Sequence, residues 1–433
     1  MPTLGTDAEI GALLRGARCA KRLTQAQVGA ACGYSASAVS RIENGKLRVD
    51  YTTLMQLAAF LRIAPEQLRG SARPDTANIA TVAVGCRPNE EDAVRRRNLL
   101  TGAAAIGMTA AVGTTAASAA PAGGDPAAPL EDYLFRLPAA APVPLARLVQ
   151  ETASARADFR AARYTALGRG LPSLLAAASA TWEASTGHER EKASVVLARS
   201  YVLAAELALK QHSDAAWAAA DRALTAARAS GHPVPVGEAS RVLAITMRRS
   251  GNCPSAVRLL TREAADLDGG QEQTGAVRTT LMLTAAYSAA TGGDRTTALH
   301  LLDAAEEETA RREATPSGLF TVDATRTQVD VYRIGVLNAL GTPDEGVSVA
   351  RRINIDSMPT PERRARAWTD TARMWHALRD GRQTFAALRH VEQEAPQEVR
   401  RPALRVLTAD LLYAPARVPG VREFATRTGA IST

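Results

Sequence analysis

Thr24-Gln-Ala-Gln-Val-Gly-Ala-Ala-Cys-Gly-Tyr-Ser-Ala-Ser-Ala-Val-Ser-Arg-Ile-Glu-Asn-Gly-Lys46 reads as two short helices around a tight turn. The first opens at Thr24, whose hydroxyl can cap the amides of Gln25–Gln27. Gly33 falls where the chain must reverse, a place that favours a residue free to take positive φ. Ser35 caps the second helix, and Ala38, Val39 and Ile42 share one apolar side. The opposite side is short and polar, with Ser37, Ser40 and Arg41.

Working outward, the pattern from Ile10 to Leu68 predicts five helices. Ile10, Leu13, Leu14 and Ala17 form the stripe of the first. Asp50 caps Tyr51–Leu61, where Leu54, Leu57, Ala58 and Leu61 recur at helical spacing, and Pro65 opens a last short helix. Gly45 suits the left-handed cap that ends the second motif helix.

With Ser40-Arg-Ile-Glu-Asn-Gly-Lys46 in place, residues 10–68 resemble the Cro/cI-type, or XRE, helix-turn-helix family of transcription regulators. The resemblance implies a lambda-repressor-like domain that presents the start of its second motif helix to the DNA major groove. It further implies that Gln25 touches phosphate and a base edge, and that Ser35, Asn44 and Lys46 hold phosphates. Ala36, Ser37 and Arg41 take the base-facing positions, with Ser40 beside them. Ala36 offers only a methyl contact and Ser37 is permissive, which leaves Arg41 as the candidate for bidentate guanine reading. Arg18 and Glu43 match a pair that forms an internal salt bridge in that family. Double-stranded DNA, bound by a homodimer, is the implied partner.

Bulk properties fit. The chain of 433 residues is too long for one core, and its net charge is +8. Residues 1–70 carry nine Lys/Arg against five Asp/Glu, so charge density is highest where the motif lies. The four cysteines (Cys19, Cys32, Cys86 and Cys253) show no CxxC and no close pairing, which suits a reducing cytoplasm and argues against a disulfide framework. No Cys/His cluster has metal-ligand spacing, and no metal or cofactor is expected. His188-Glu189-Arg190-Glu191 is followed by Lys192 where a zinc site would need histidine, and neither a P-loop nor GxGxxG or GxSxG occurs. The sequence does not read as an enzyme. Alanine-rich composition with Arg favoured over Lys suggests a high-GC bacterium, and the family resemblance is to regulators of actinobacterial type.

Residues 71–140 lose periodicity and fill with Ala, Gly, Pro and Thr, the signature of a linker. Within them Arg95-Arg96-Arg97 precedes an uncharged run from Leu99 to Ala120. Its position behind a complete domain counts against an export signal. Thin hydrophobicity counts against a membrane span, so a tethered regulator using residues 98–120 is a minor alternative.

Residues 141–433 read as helix throughout, giving an all-α chain. Small residues recur at Ala216, Ala256, Ala298, Gly346 and Ala386, each after a Gly, Asn or Asp turn such as Ser250-Gly-Asn or Gly292-Gly-Asp294. This pattern resembles tetratricopeptide hairpins, which stack into an α-solenoid with a concave groove. In that register the first helices turn Tyr201, Arg241, Arg248, Tyr287, Gln328, Asn338, Trp368 and Trp375 toward the groove, as anchors for a peptide, small molecule or protein partner. Packing between hairpins is the competing use for those aromatics. Peptide-sensing regulators of similar architecture clamp peptide backbones with asparagines, and this region has only Asn252, Asn338 and Asn354. The expected function is a sequence-specific regulator with a sensing or dimerising repeat domain. A helical-repeat scaffold with secondary DNA binding is the alternative.

Overall fold

The computed structural model describes residues 7–63 except 22, 33, 35, 45, 46 and 48–50, together with 125–136, 139–267, 271–311, 319–320, 323–413 and 418–431. Every regular element among them is helical: 19 α-helices and two short 3-10 turns.

Among the described residues the N-terminal unit has four helices: α1 (Asp7–Ala20), α2 (Gln25–Cys32), α3 (Ala36–Glu43) and α4 (Tyr51–Leu61). Thr24 and Gln27 form a reciprocal capping box, in which Gln27 N donates to Thr24 Oγ1 at 3.2 Å and Thr24 N to Gln27 Oε1 at 2.8 Å. The turn closes with Tyr34 N donating to the Gly29 carbonyl at 2.8 Å, a bond that spans five residues and ends the helix tightly. Leu14, Val28, Val39, Ile42, Leu54, Leu57 and Leu61 fill the core between them. At Gly11 a Cβ would stand 2.6 Å from the Ile42 carbonyl oxygen, so α1 crosses α3 backbone to backbone. The fifth helix expected after Pro65, and the run from Arg95 to Ala120, lie outside the described residues.

The second unit begins earlier than the composition suggests. Helix α5 (Ala128–Phe135) lies inside the stretch read as linker, yet Leu130, Tyr133 and Leu134 enter the same core as the repeats. Their i, i+3, i+4 spacing is an amphipathic helix hidden in Ala/Pro-rich surroundings. It docks so closely that a Cβ at Gly168 would fall 2.0 Å from the Pro126 carbonyl oxygen.

Then follow α6 (Leu145–Arg160), α7 (Tyr164–Ala184), α8 (Gly187–Gln211), α9 (Ala215–Ala229), α10 (Pro233–Arg249), α11 (Cys253–Ala265), α12 (Glu272–Thr291) and α13 (Arg295–Ala310). After α14 (Arg326–Ala339) a 3-10 turn (Pro343–Gly346) leads into α15 (Val347–Arg352), and the chain closes with α16 (Pro361–Ala377), α17 (Gly381–Glu394), α18 (Pro402–Leu411) and α19 (Val421–Arg427). Helices α8, α10, α12, α14 and α16 pack side by side as an inner layer, and α9, α11, α13 and α17 back them. That is the stacking of a helical-hairpin solenoid.

One turn geometry recurs. Ser213 N donates to the Ala208 carbonyl, Asn252 to Met247, Asp294 to Ala289, Thr342 to Leu337 and Asp380 to Trp375, all at 2.9–3.0 Å. Gly251, Gly293 and Gly341 supply the positive φ in three of these turns, while His212 and Arg379 adopt it in the other two. Three second helices then start in one register, with Ala256, Ala298 and Gly346 buried four residues past the turn amide, and in the first hairpin Ala216 is buried one residue earlier. The last hairpin departs by two residues. Ala386 is exposed, and its place is taken by Thr384, buried with its hydroxyl donating to the Asp380 carbonyl at 2.7 Å.

Candidate functional site

The motif helices are fixed to one another by a single carboxylate. Glu43, at the end of α3, accepts from Arg18 Nε at 2.5 Å and Nη2 at 2.9 Å, and from Gln25 Nε2 at 2.9 Å. Arg18 also donates to the Leu23 carbonyl at 2.9 Å, so α1, α2 and α3 meet at one point. Burial alone would raise the Glu43 pKa, but the Arg18 and Gln25 hydrogen bonds outweigh it and hold the carboxyl below its ordinary value. Gln25 is thereby oriented at the start of α2. Asn44 closes α3 by donating its side-chain amide to the Ser40 carbonyl at 2.7 Å. Ser35 and Lys46, and the side chains of Ala36 and Ser37, lie outside the described residues.

Arg41, on the polar side of α3, does not face open solvent. Its Nη2 donates to Asp344 Oδ1 in the 3-10 turn after α14, and both side chains are about three-quarters buried. Beside this pair the Arg295 guanidinium stands 5.0 Å over the Tyr34 ring and donates to Glu345 at 2.7 Å. The two contacts seat the end of the helix-turn-helix turn and the last turn of α3 on the helical domain.

The inner layer of the solenoid holds a partly open cavity of about 130 Å3. Among its lining residues are eight cationic and three acidic side chains, with Phe159, Tyr287 and Tyr332 as aromatic walls. The carboxylates are shared. Glu206 accepts from Arg156 at 2.5 Å and Arg241 at 3.2 Å, and Asp370 takes Arg366 at 3.0 Å with Arg373 at 3.8 Å. Lys210 bridges Glu362 at 2.7 Å and Glu398 at 3.0 Å, while Glu398 also pairs with Arg401 and accepts from the Tyr164 hydroxyl at 2.6 Å.

Burial would push Glu362 and Glu398 up, but Arg363 and Lys210 at the first, and Arg401 and Lys210 at the second, draw both below the usual carboxylate range. The positive field reaches Tyr332 as well. Burial opposes ionisation there, yet Arg241 and Arg363 outweigh it and bring the phenol down to about 8.

Of the groove residues expected from the sequence, Arg241, Arg248, Tyr287 and Gln328 line this cavity. Arg248 stacks 4.4 Å over the Tyr287 ring, and Gln328 is 1 % exposed. The others do not line it. Tyr201 is buried in the main core, Trp368 stacks on His390 of α17 at 4.2 Å, and Trp375 packs beside Ile334, Val349 and Met374. Asn338 donates to the Asp370 carbonyl at 2.8 Å, behind the wall. Reading by aromatic content missed Lys210, Glu362, Arg363, Arg366 and Arg401. A signal for part of this set was present in α16, where Glu362, Arg366, Asp370 and Arg373 recur on one helical face that also carries the small buried residues Ala365 and Ala372 nearby.

Among the described residues no group of three or more His, Cys, Asp or Glu could hold a metal ion, and no helix is long and apolar enough to cross a membrane. The 98–120 segment lies outside them.

Helix-turn-helix geometry at one end and a stacked helical-hairpin unit after it define the class of protein. Residues 9–70 match the family model described as "Helix-turn-helix domain". No curated protein matches the chain. Among solved structures, the crystal structure of Bacillus thuringiensis PlcR in complex with the peptide PapR7 and DNA is similar over 88% of this chain and 99% of that one, at 12% identity and a TM-score of 0.33. That score is too low to carry one structure's details to the other.

Proposed function

We propose that this chain is a sequence-specific DNA-binding transcription regulator, acting in the cytoplasm as a homodimer, whose helical domain senses a ligand or partner. The observation that carries the reading is the locked helix-turn-helix. Glu43 holds α1, α2 and α3 in one geometry, and Arg41 projects from the second motif helix. Within this reading Gln25, Ser35, Asn44 and Lys46 hold the phosphate backbone, and Ala36, Ser37, Ser40 and Arg41 face the bases.

Control follows from the same surface. While the pair is closed, Asp344 and the turn after α14 cover the Arg41 side chain, which is about three-quarters buried, so it is withheld from a base edge. The helical domain therefore opposes DNA reading while the pair is closed, and its release frees the helix. The reading is of a regulator rather than an enzyme.

Selection of bound fragments from a random duplex library with the full chain tests the proposal. A recovered two-fold symmetric motif, lost with Arg41→Ala, supports it, and sedimentation on that duplex gives the stoichiometry. Uniform recovery of all sequences at physiological salt would refute sequence-specific binding.

A further inference from the structure

The cavity in the inner helical layer is overcharged for a site that is only structural. Eight cationic side chains line it against three carboxylates, with Glu398 behind Lys210 and Arg401 as a fourth, and each carboxylate is already shared between cations. Clustered like charges withdrawn from water are costly unless opposite charge neutralises them, so the surplus favours an anionic occupant. Tyr332, whose phenol is drawn down by Arg241 and Arg363 despite burial, reports the same field.

A second, independent feature lies on α14. Gln328 is 1 % exposed and lines the cavity, and neither its Oε1 nor its Nε2 has a hydrogen-bond partner. A buried amide without partners is destabilising, and natural interiors seldom keep one without a use. Its NH2 offers two N–H donors and its carbonyl oxygen an acceptor to whatever enters. The Thr325 cap fixes its place, accepting from Gln328 N at 3.2 Å.

We propose that this cavity binds a small polyanion, whose phosphate or carboxylate oxygens are held by Arg248, Arg366 and Arg373 and whose adjacent neutral polar group is read by the Gln328 amide. Arg366 and Arg373 come from α16 and Arg248 from α10, so the anion would tie together helices far apart in sequence. Arginine suits the task, since its planar fork matches the oxygens of either anion. The volume of about 130 Å3 admits a compact metabolite rather than a folded partner. The inference rests on the reading of the helical domain as a sensor, and identifies what it senses.

Calorimetric titration of the full chain with inorganic pyrophosphate and, separately, citrate, at constant ionic strength, tests it. Saturable one-site binding of either supports the site, and the stronger of the two distinguishes phosphate from carboxylate chemistry. Arg366→Gln should weaken that binding about tenfold or more. Because Arg366 also holds Asp370, Gln328→Leu is the second variant: it removes no existing bond, so it should fold with an unchanged or raised melting temperature and still bind more weakly.

Heats that do not saturate with either probe, or binding that neither substitution alters, overturn the proposal. Anion titrations are run without DNA and duplex selection without anion, so loss of DNA binding and loss of anion binding are read separately. A chain that binds pyrophosphate or citrate but selects no duplex retains the site and refutes only the DNA reading.

Discussion

Arg41 on α3 and Asp344 in the turn after α14 form an ion pair across a separation of 303 residues. It joins the arginine proposed to face the bases to the repeat domain. The turn owes its shape to Gly341, at positive φ, and to Pro343 at the start of the 3-10 segment. Arg295, itself nearly buried, braces the same turn through Glu345 and Thr342. The contact is therefore held by a rigid support and not by two flexible surface chains.

Asp344→Asn should tighten binding of the full chain to its selected duplex. The pair is about three-quarters buried, so its worth is above that of a fully exposed bridge, on the order of 0.5–1.5 kcal/mol. That is about a two- to twelvefold gain in affinity. Fluorescence anisotropy with labelled duplex at two salt concentrations measures it. Equal affinities for the wild type and the variant would show that the pair does not restrain the helix.

How ligand and DNA communicate can be approached through α14. Gln328 stands near its start, and Asp344 lies five residues past its end in the turn it feeds. An anion that repositions α14 should move Asp344, and linkage then requires DNA and anion to alter each other's affinity by one factor. With saturating pyrophosphate or citrate, whichever binds, wild-type DNA affinity should change. In Asp344→Asn the change should be smaller, because the contact that transmits it is gone. An equal shift in both proteins would place the coupling elsewhere.

The N-terminal motif was legible because its determinants are local. Thr24 and Gln27 sit three apart, the turn needs a glycine-like reversal, and Val39 and Ile42 mark one buried side. The hairpin turns were legible for the same reason, down to the positions of Gly251, Gly293 and Gly341. Where a non-glycine residue took positive φ, at Arg379, the register of the last hairpin was misread and Thr384 was missed.

The cavity was half legible. Tyr287 and Gln328 follow from the inner-helix register, but Lys210 and Glu362 look like ordinary solvated helix charges until helices 152 residues apart bring them to 2.7 Å. Trp368 shows the opposite error, an apparent groove anchor whose ring lies flat against His390 between two helices of one hairpin.

Glu43→Ala should destabilise the N-terminal unit selectively. It leaves Arg18 and Gln25 without their shared acceptor beside a core that excludes most water. A lost charge-assisted network of this kind costs about 1.5–3 kcal/mol. The chain has separate cores, so unfolding need not be two-state, and scanning calorimetry should show one transition moving down while the other stays. Gly11→Ala should act on the same transition, because its methyl meets α3 backbone that cannot turn aside.

Tyr332 gives the pH dependence its sign. From α14 it faces Arg241 on α10, Thr284 on α12 and Arg363 on α16, and these bring its phenol to about 8 in the folded chain. An unfolded tyrosine titrates near 10, so the folded state releases this proton first. Stability from this group is therefore absent below about pH 8 and grows between about 8 and 10.

Ligand binding should move the other way. The phenolate places a negative charge inside the cationic cavity, so affinity for pyrophosphate or citrate should fall as pH rises through about 8. The difference absorbance of ionising tyrosine should show one of the eight tyrosines titrating early, and Tyr332→Phe should remove that phase. The same substitution should flatten the pH dependence of anion binding. If the fall in affinity persists unchanged in Tyr332→Phe, another group sets it, and the cavity's field does not act through this phenol.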